Sequence, residues 1–117
     1  MGGLVGHIGG HNVEVDNCIV EGCTFNSNYS EGTEFKGHCG ALVGYSESAT
    51  IKNSLVKNVT MTVKGPRGGL LVGTATASSD IEDNTVENST LNKVKATEGA
   101  NLLGEVSGAT AVNTTLK

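Results

Sequence analysis

A unit of about thirty residues recurs nearly four times along this chain, and that recurrence narrows the possible folds more than any other feature. Val20, Val56, Val86 and Leu116 stand 36, 30 and 30 residues apart, and the columns around them agree. Five residues earlier stand Val15, Ile51, Ile81 and Ala111, and five residues later Phe25, Met61 and Leu91. Three residues earlier stand Asn17, Asn53, Asp83 and Asn113; two residues later stand Gly22, Asn58 and Asn88; four later stand Thr24, Thr60 and Thr90. Upstream of each block lies an aliphatic pair followed by glycine: Leu4-Val5-Gly6, Leu42-Val43-Gly44, Leu71-Val72-Gly73 and Leu102-Leu103-Gly104.

These columns have a physical reading. Aliphatic side chains that recur at one repeat position stack on each other when the repeats stack. The Gly22/Asn58/Asn88 column holds residue types that tolerate a left-handed backbone, which predicts a corner there. The Asn17/Asn53/Asp83/Asn113 column predicts a structural ladder of side-chain amides bonding from coil to coil. Thirty residues accommodate three short strands and three turns. No 3.6-residue periodicity supports a helical repeat, and Val, Thr and Gly disfavour one. The predicted fold is therefore all-β: a right-handed parallel β-solenoid, or β-helix, of about four coils, the handedness following the rule for parallel crossovers. Residues 1–117 form a single domain in this reading, with coils over roughly 2–39, 40–68, 69–99 and 100–117.

Charge follows the same frame. The residue after the Val20 column runs Glu21, Lys57, Glu87, Lys117, and the residue four before it runs Asp16, Lys52, Glu82. Signs alternate in both, as facing charges on stacked strands should, each pair contributing a few tenths of a kcal/mol up to about one.

Composition agrees with strands and turns. The chain has 17 glycines, one proline, no tryptophan, two phenylalanines and two tyrosines, so its core must come from aliphatic residues. A net charge of −4 and the absence of a basic patch argue against nucleic acid as a partner. No apolar stretch is long enough for a membrane-spanning helix, so no membrane insertion is expected. Met1 runs straight into repeat sequence, which suggests a piece of a longer protein. Cys18, Cys23 and Cys39 are read as buried small thiols rather than a disulfide framework, with a pairing of Cys18 or Cys23 to Cys39 left open.

The segment Leu42-Val43-Gly44 leading to Ile51-Lys52-Asn53-Ser54-Leu55-Val56-Lys57-Asn58 resembles the GLUG repeat of bacterial surface proteins. The resemblance runs through essentially the whole chain. Such repeats occur in large adhesin-like polypeptides and beside the catalytic domains of immunoglobulin-A-cleaving metallopeptidases. It implies a stalk or display element of a larger protein, secreted or held at the cell surface.

The pattern breaks where the first coil is longer, between Phe25 and Gly37. Insertions in solenoids map to loops and often to a binding face. Tyr29, Glu31, Glu34, Phe35 and Lys36 are the candidate binding residues there, for a host glycan or protein; a tolerated surface insertion is the competing reading. The first and last coils carry no evident cap, which predicts end-to-end self-association or cover by other chain.

Catalytic and metal readings are weaker. His7 and His11 have the spacing of a zinc-peptidase pair without its glutamate, and Gly9-Gly10 between them breaks the helix that such a pair needs. His7, His11, His38 and Cys39 would make at most a loose surface site. Glu14, Asp16, Asp80, Glu82 and Asp83 are the candidate carboxylates of a glycan-cleaving enzyme, but Lys52 lies between Asp16 and Glu82 in the ladder. The Thr24/Thr60/Thr90 column is not flanked by aligned Thr-x-Thr pairs, so an ice- or crystal-binding face is disfavoured. No catalytic residue, cofactor or metal is expected. The sequence points to a non-enzymatic structural or adhesive module, with a glycan-binding or glycan-cleaving β-helix as the alternative.

Overall fold

The computed structural model describes residues 2–9, 13–27, 38–65, 67–76, 78–97 and 100–117. The described residues are strands and turns without helix, arranged as a parallel β-solenoid of about four coils. The first coil contributes β1 (Val5–Ile8), β2 (Val13–Asp16), β3 (Ile19–Glu21) and β4 (Thr24–Ser27). The second contributes β5 (Cys39–Gly40), β6 (Val43–Ser46), β7 (Ala49–Lys52), β8 (Leu55–Lys57) and β9 (Thr60–Val63). The third contributes β10 (Gly68–Gly69), β11 (Val72–Thr76), β12 (Asp80–Glu82), β13 (Thr85–Glu87), β14 (Thr90–Leu91) and β15 (Val94–Lys95), and the fourth β16 (Leu103–Ser107), β17 (Ala111–Val112) and β18 (Thr115–Leu116). The three short strands expected per coil are the faces typified by β7, β8 and β9; the segment around Leu42-Val43-Gly44 adds β5 and β6 ahead of them.

Coil stacks on coil in the register that the sequence columns demand. Val56 pairs with Val20 and Val86, and Val86 with Leu116. Ile51 pairs with Val15 and Ile81, and Val43 with Val5 and Val72. Each inward column is buried in the middle coils, and burying one such side chain is worth about 1.5–3 kcal/mol. Exposure of large apolar side chains among the described residues falls on the two ends: Leu4, Val13 and Ile19 in the first coil, and Val94, Val106, Val112 and Leu116 in the last strands.

The three faces are five residues long because a left-handed residue closes each of their first two corners. Asn17, Asn53, Asp83 and Asn113 have φ between 52° and 56°, and Gly22, Asn58 and Asn88 have φ of 69°, 53° and 45°. Asn and Asp adopt this region at low cost because their short polar side chains bond locally. Both columns also carry outer bonds: the Asn88 amide donates to Asn58 Oδ1 at 2.8 Å, and Asn113 donates to Asp83 Oδ1 at 2.6 Å. The ladder is not uniform, since Asn53 donates to Asp16 rather than to Asn17.

A second ladder runs inside. The residue after each Asn17-column corner turns inward: Cys18, Ser54, Asn84, Thr114. Ser54 Oγ accepts the Cys18 N–H at 3.2 Å, and Asn84 Oδ1 accepts the Ser54 N–H at 3.0 Å. Asn84 is fully buried and its amide also donates to the Ile51 carbonyl at 3.0 Å. At the next corner Ser89 Oγ accepts the Val59 N–H at 3.0 Å. Each of these backbone amides thus finds a side-chain oxygen from the coil above, which spares it a cost of about 1–3 kcal/mol.

The third coil ends in a chain reversal. Asn92 and Lys93 both have positive φ and reverse the chain, and β15 pairs antiparallel with β14. The two-residue turn with both residues left-handed suits the twist of such a hairpin. Asn92 completes the corner below by accepting the Val63 N–H at 2.9 Å and donating to the Val63 carbonyl at 3.0 Å.

Candidate functional site: a cleft on the Gly-Leu-Val-Gly side

The Leu42-Val43-Gly44 and Leu71-Val72-Gly73 segments bring β5 and β10 against the sheet formed by β1, β6, β11 and β16. Glycine is required at this approach. A Cβ on Gly73 would lie 2.5 Å from the Cys39 nitrogen and 2.8 Å from the Arg67 carbonyl oxygen, and one on Gly104 would lie 2.7 Å from the Gly68 nitrogen. The close crossing places His38 and Arg67, the residues just before β5 and β10, beside the sheet.

On that sheet His7, Tyr45, Thr74 and Glu105 are consecutive partners across the four coils. His38 reaches one coil up, its Nδ1 lying 2.6 Å from Thr74 Oγ1. Arg67 makes the same upward step, donating from Nε to Glu105 Oε2 at 3.1 Å. The Tyr45 ring meets His7 and His38 edge-on, with centroids 4.9 and 4.8 Å apart. His7 also stands 3.6 Å from the Glu47 carboxylate, and Thr76 Oγ1 donates to the Glu47 carbonyl. Between the His38/Arg67 column and the sheet lies a half-open cleft of about 330 Å³, whose polar lining is His38, Tyr45, Arg67, Thr74, Thr76, Glu105 and Ser107.

Burial, and then the Arg67 charge, push the His38 pKa below its ordinary value of 6.5, so the imidazole is neutral at pH 7. With Arg67 and Glu105 opposed, the cleft carries no net charge. Beside it, burial pushes the Cys39 thiol up, which makes it a poor metal ligand.

The sequence-predicted residues divide as follows. Tyr29, Glu31, Glu34, Phe35 and Lys36 lie outside the described residues, as does His11. His7 and His38 do approach across adjacent coils, but Tyr45 stands with them instead of further ligands, and no group of three or more potential metal ligands occurs among the described residues. Cys18, Cys23 and Cys39 are free thiols; Cys18 and Cys23 donate to the carbonyls of Asp16 and Glu21. Of the candidate carboxylates, Glu14, Asp16 and Glu82 lie around Lys52, which pairs with Glu14 at 3.1 Å, diagonal to its register partner Asp16; Asp80 is the register partner of Thr50, and Asp83 accepts from Asn113. The hydrogen bond from Lys52 to Glu14, followed by the charges of Glu14, Asp16 and Glu82, raises the Lys52 pKa.

Tyr45, Thr74 and Glu105 carry no common sequence signal because their column is chemically mixed, and Arg67 reads in the sequence only as the end of the turn Lys64-Gly65-Pro66-Arg67. Their shared trait is position: His7, Tyr45, Thr74 and Glu105 each follow the aliphatic-glycine signature directly. No protein-family model, no curated protein and no solved structure matches the chain.

Proposed function

We propose that the chain is a non-enzymatic structural or adhesive repeat module of an exported bacterial surface protein, serving there as a stalk or display element. The observation that carries this reading is the inner ladder of Ser54, Asn84 and Ser89. It holds the coils in register from within, so outer side chains are released from packing and remain available for display. Lys52 pairs with Glu14 and is the register partner of Asp16 and Glu82, so these carboxylates flank a lysine in the stacking column, which supports the same reading. Its localisation is secreted or at the cell surface, and its partners are host glycans or proteins.

End-to-end self-association belongs to this proposal. Inward-facing Leu4 and Val13 at one end and Val106 and Leu116 at the other are partly exposed, and Lys117 of one copy over Glu21 of the next would continue the alternating column. Concentration-dependent growth in light scattering supports it; a strict monomer at high concentration removes it.

The test of the module reading is turnover. The purified protein, incubated with a panel of polysaccharides, releases no reducing ends. Release that disappears in Glu14→Gln or Asp16→Asn would replace this reading with a glycan-cleaving β-helix. The glycan-binding form of that alternative is favoured by one observation, the cleft beside Tyr45.

A further inference from the structure

We infer that the cleft between the His38/Arg67 column and the β6–β11–β16 face is a binding site for a neutral sugar residue. The inference gives the display reading a ligand and a place, and in that sense rests on it. Three properties of the cleft select this ligand class.

The first is charge. Arg67 and Glu105 are held 3.1 Å apart, and His38 is neutral at pH 7. An anion here would sit against Glu105 and would have to displace it from Arg67; a cation would meet the converse. A neutral ligand meets neither cost.

The second is hydrogen-bond character. The guanidinium only donates, the carboxylate only accepts, and the hydroxyls of Thr74 and Ser107 do both. A vicinal diol is the complement of a donor and an acceptor set side by side, since each hydroxyl can accept from Arg67 while donating to Glu105. Bonds to charged partners are also the strong ones.

The third is shape. A volume of about 330 Å³ lies at the small end of the range of about 300–1,000 Å³ for ligand pockets, which suits a single sugar ring with its ends open to solvent. The Tyr45 ring supplies apolar surface for the C–H face of such a sugar. The cleft is fixed by strand register and by the glycine crossing, so binding requires no ordering of the chain.

The test uses the whole chain and the methyl glycosides of glucose, galactose and mannose, at millimolar concentration, followed by two-dimensional amide NMR. Shifts clustered at Tyr45, Arg67, Thr74, Glu105 and Ser107 for at least one neutral glycoside are expected. Glu105→Gln, a substitution at a half-exposed site, should weaken that binding roughly tenfold by replacing a charged acceptor with a neutral one, while leaving the rest of the spectrum in place. The proposal is overturned if no neutral glycoside shifts these amides, if shifts map elsewhere on the chain, or if methyl glucuronide binds in their stead and gains affinity in Glu105→Gln. Absence of binding leaves the turnover test untouched, so the two readings fail separately.

Discussion

Replacing Asn84 by alanine probes the inner ladder at its most buried point. The Asn84 side chain is fully enclosed and serves two backbone groups one coil below, the Ser54 N–H and the Ile51 carbonyl. Alanine leaves both without that partner in a site closed to water. Each unmet group costs about 1–3 kcal/mol, so the substitution should cost about 3 kcal/mol. That is a large share of the roughly 5–15 kcal/mol that holds a domain together. For a chain of this size the melting temperature should fall by roughly 12 °C. Serine is the informative control. Ser54 occupies the same column and both accepts the Cys18 N–H and donates to the Lys52 carbonyl, so Asn84→Ser should recover about half of the loss. Urea denaturation of the three proteins measures this. A cost below about 1 kcal/mol for alanine, or a serine no better than alanine, would refute the inner-ladder account.

Three further outcomes follow from other parts of the fold. Asn58→Ala should cost about 1 kcal/mol in thermal unfolding because it places a Cβ-bearing residue without local bonding at φ 53°, whereas Asn58→Gly should be near neutral, as Gly22 already occupies that column. His38 should titrate below 6.5 by NMR, since burial and Arg67 disfavour its charged form. The unfolded chain then binds that proton more readily, so stability is full above pH 6.5 and falls as pH drops through the folded pKa; His38→Gln should flatten that limb. Replacing residues 28–37 by Lys-Gly-Pro, the residues that span the same gap between Val63 and Arg67 one coil on, should keep the fold and change stability by no more than about 1 kcal/mol in urea, the closure entropy of the shorter loop.

Most of the architecture was legible in the sequence because solenoid stacking writes itself as columns. Val20, Val56, Val86 and Leu116 align in the chain and stack in space for one reason: the same position of each coil faces the same neighbour. The alternating charges were legible on the same ground, although the close ion pair of Lys52 is with Glu14. The inner ladder was not legible. Strand alternation has a period of two, but each left-handed corner resets the phase, so inward positions fall at Val15, Cys18, Val20, Cys23 and Phe25, alternately three and two apart. Cys18, Ser54, Asn84 and Thr114 share no hydrophobicity to announce that they point inward. The β14–β15 reversal lay hidden for a related reason: Asn92-Lys93 lacks the glycine that usually marks such a turn. The cleft was missed because it joins residues before one glycine to residues after the next, seven positions apart in the coil, and their chemistry differs from coil to coil. The signal that finds it is positional, the residue that follows each aliphatic pair and its glycine.

The stacking of coils at a thirty-residue offset creates both the inner ladder and the cleft, and nuclear Overhauser contacts test it directly. Methyl and backbone contacts of Val86 to both Val56 and Leu116, and of Ile81 to both Ile51 and Ala111, are the expected result. Contacts that pair β7 antiparallel with β8, or β12 with β13, would mean that neighbouring strands form hairpins, and would contradict the solenoid outright.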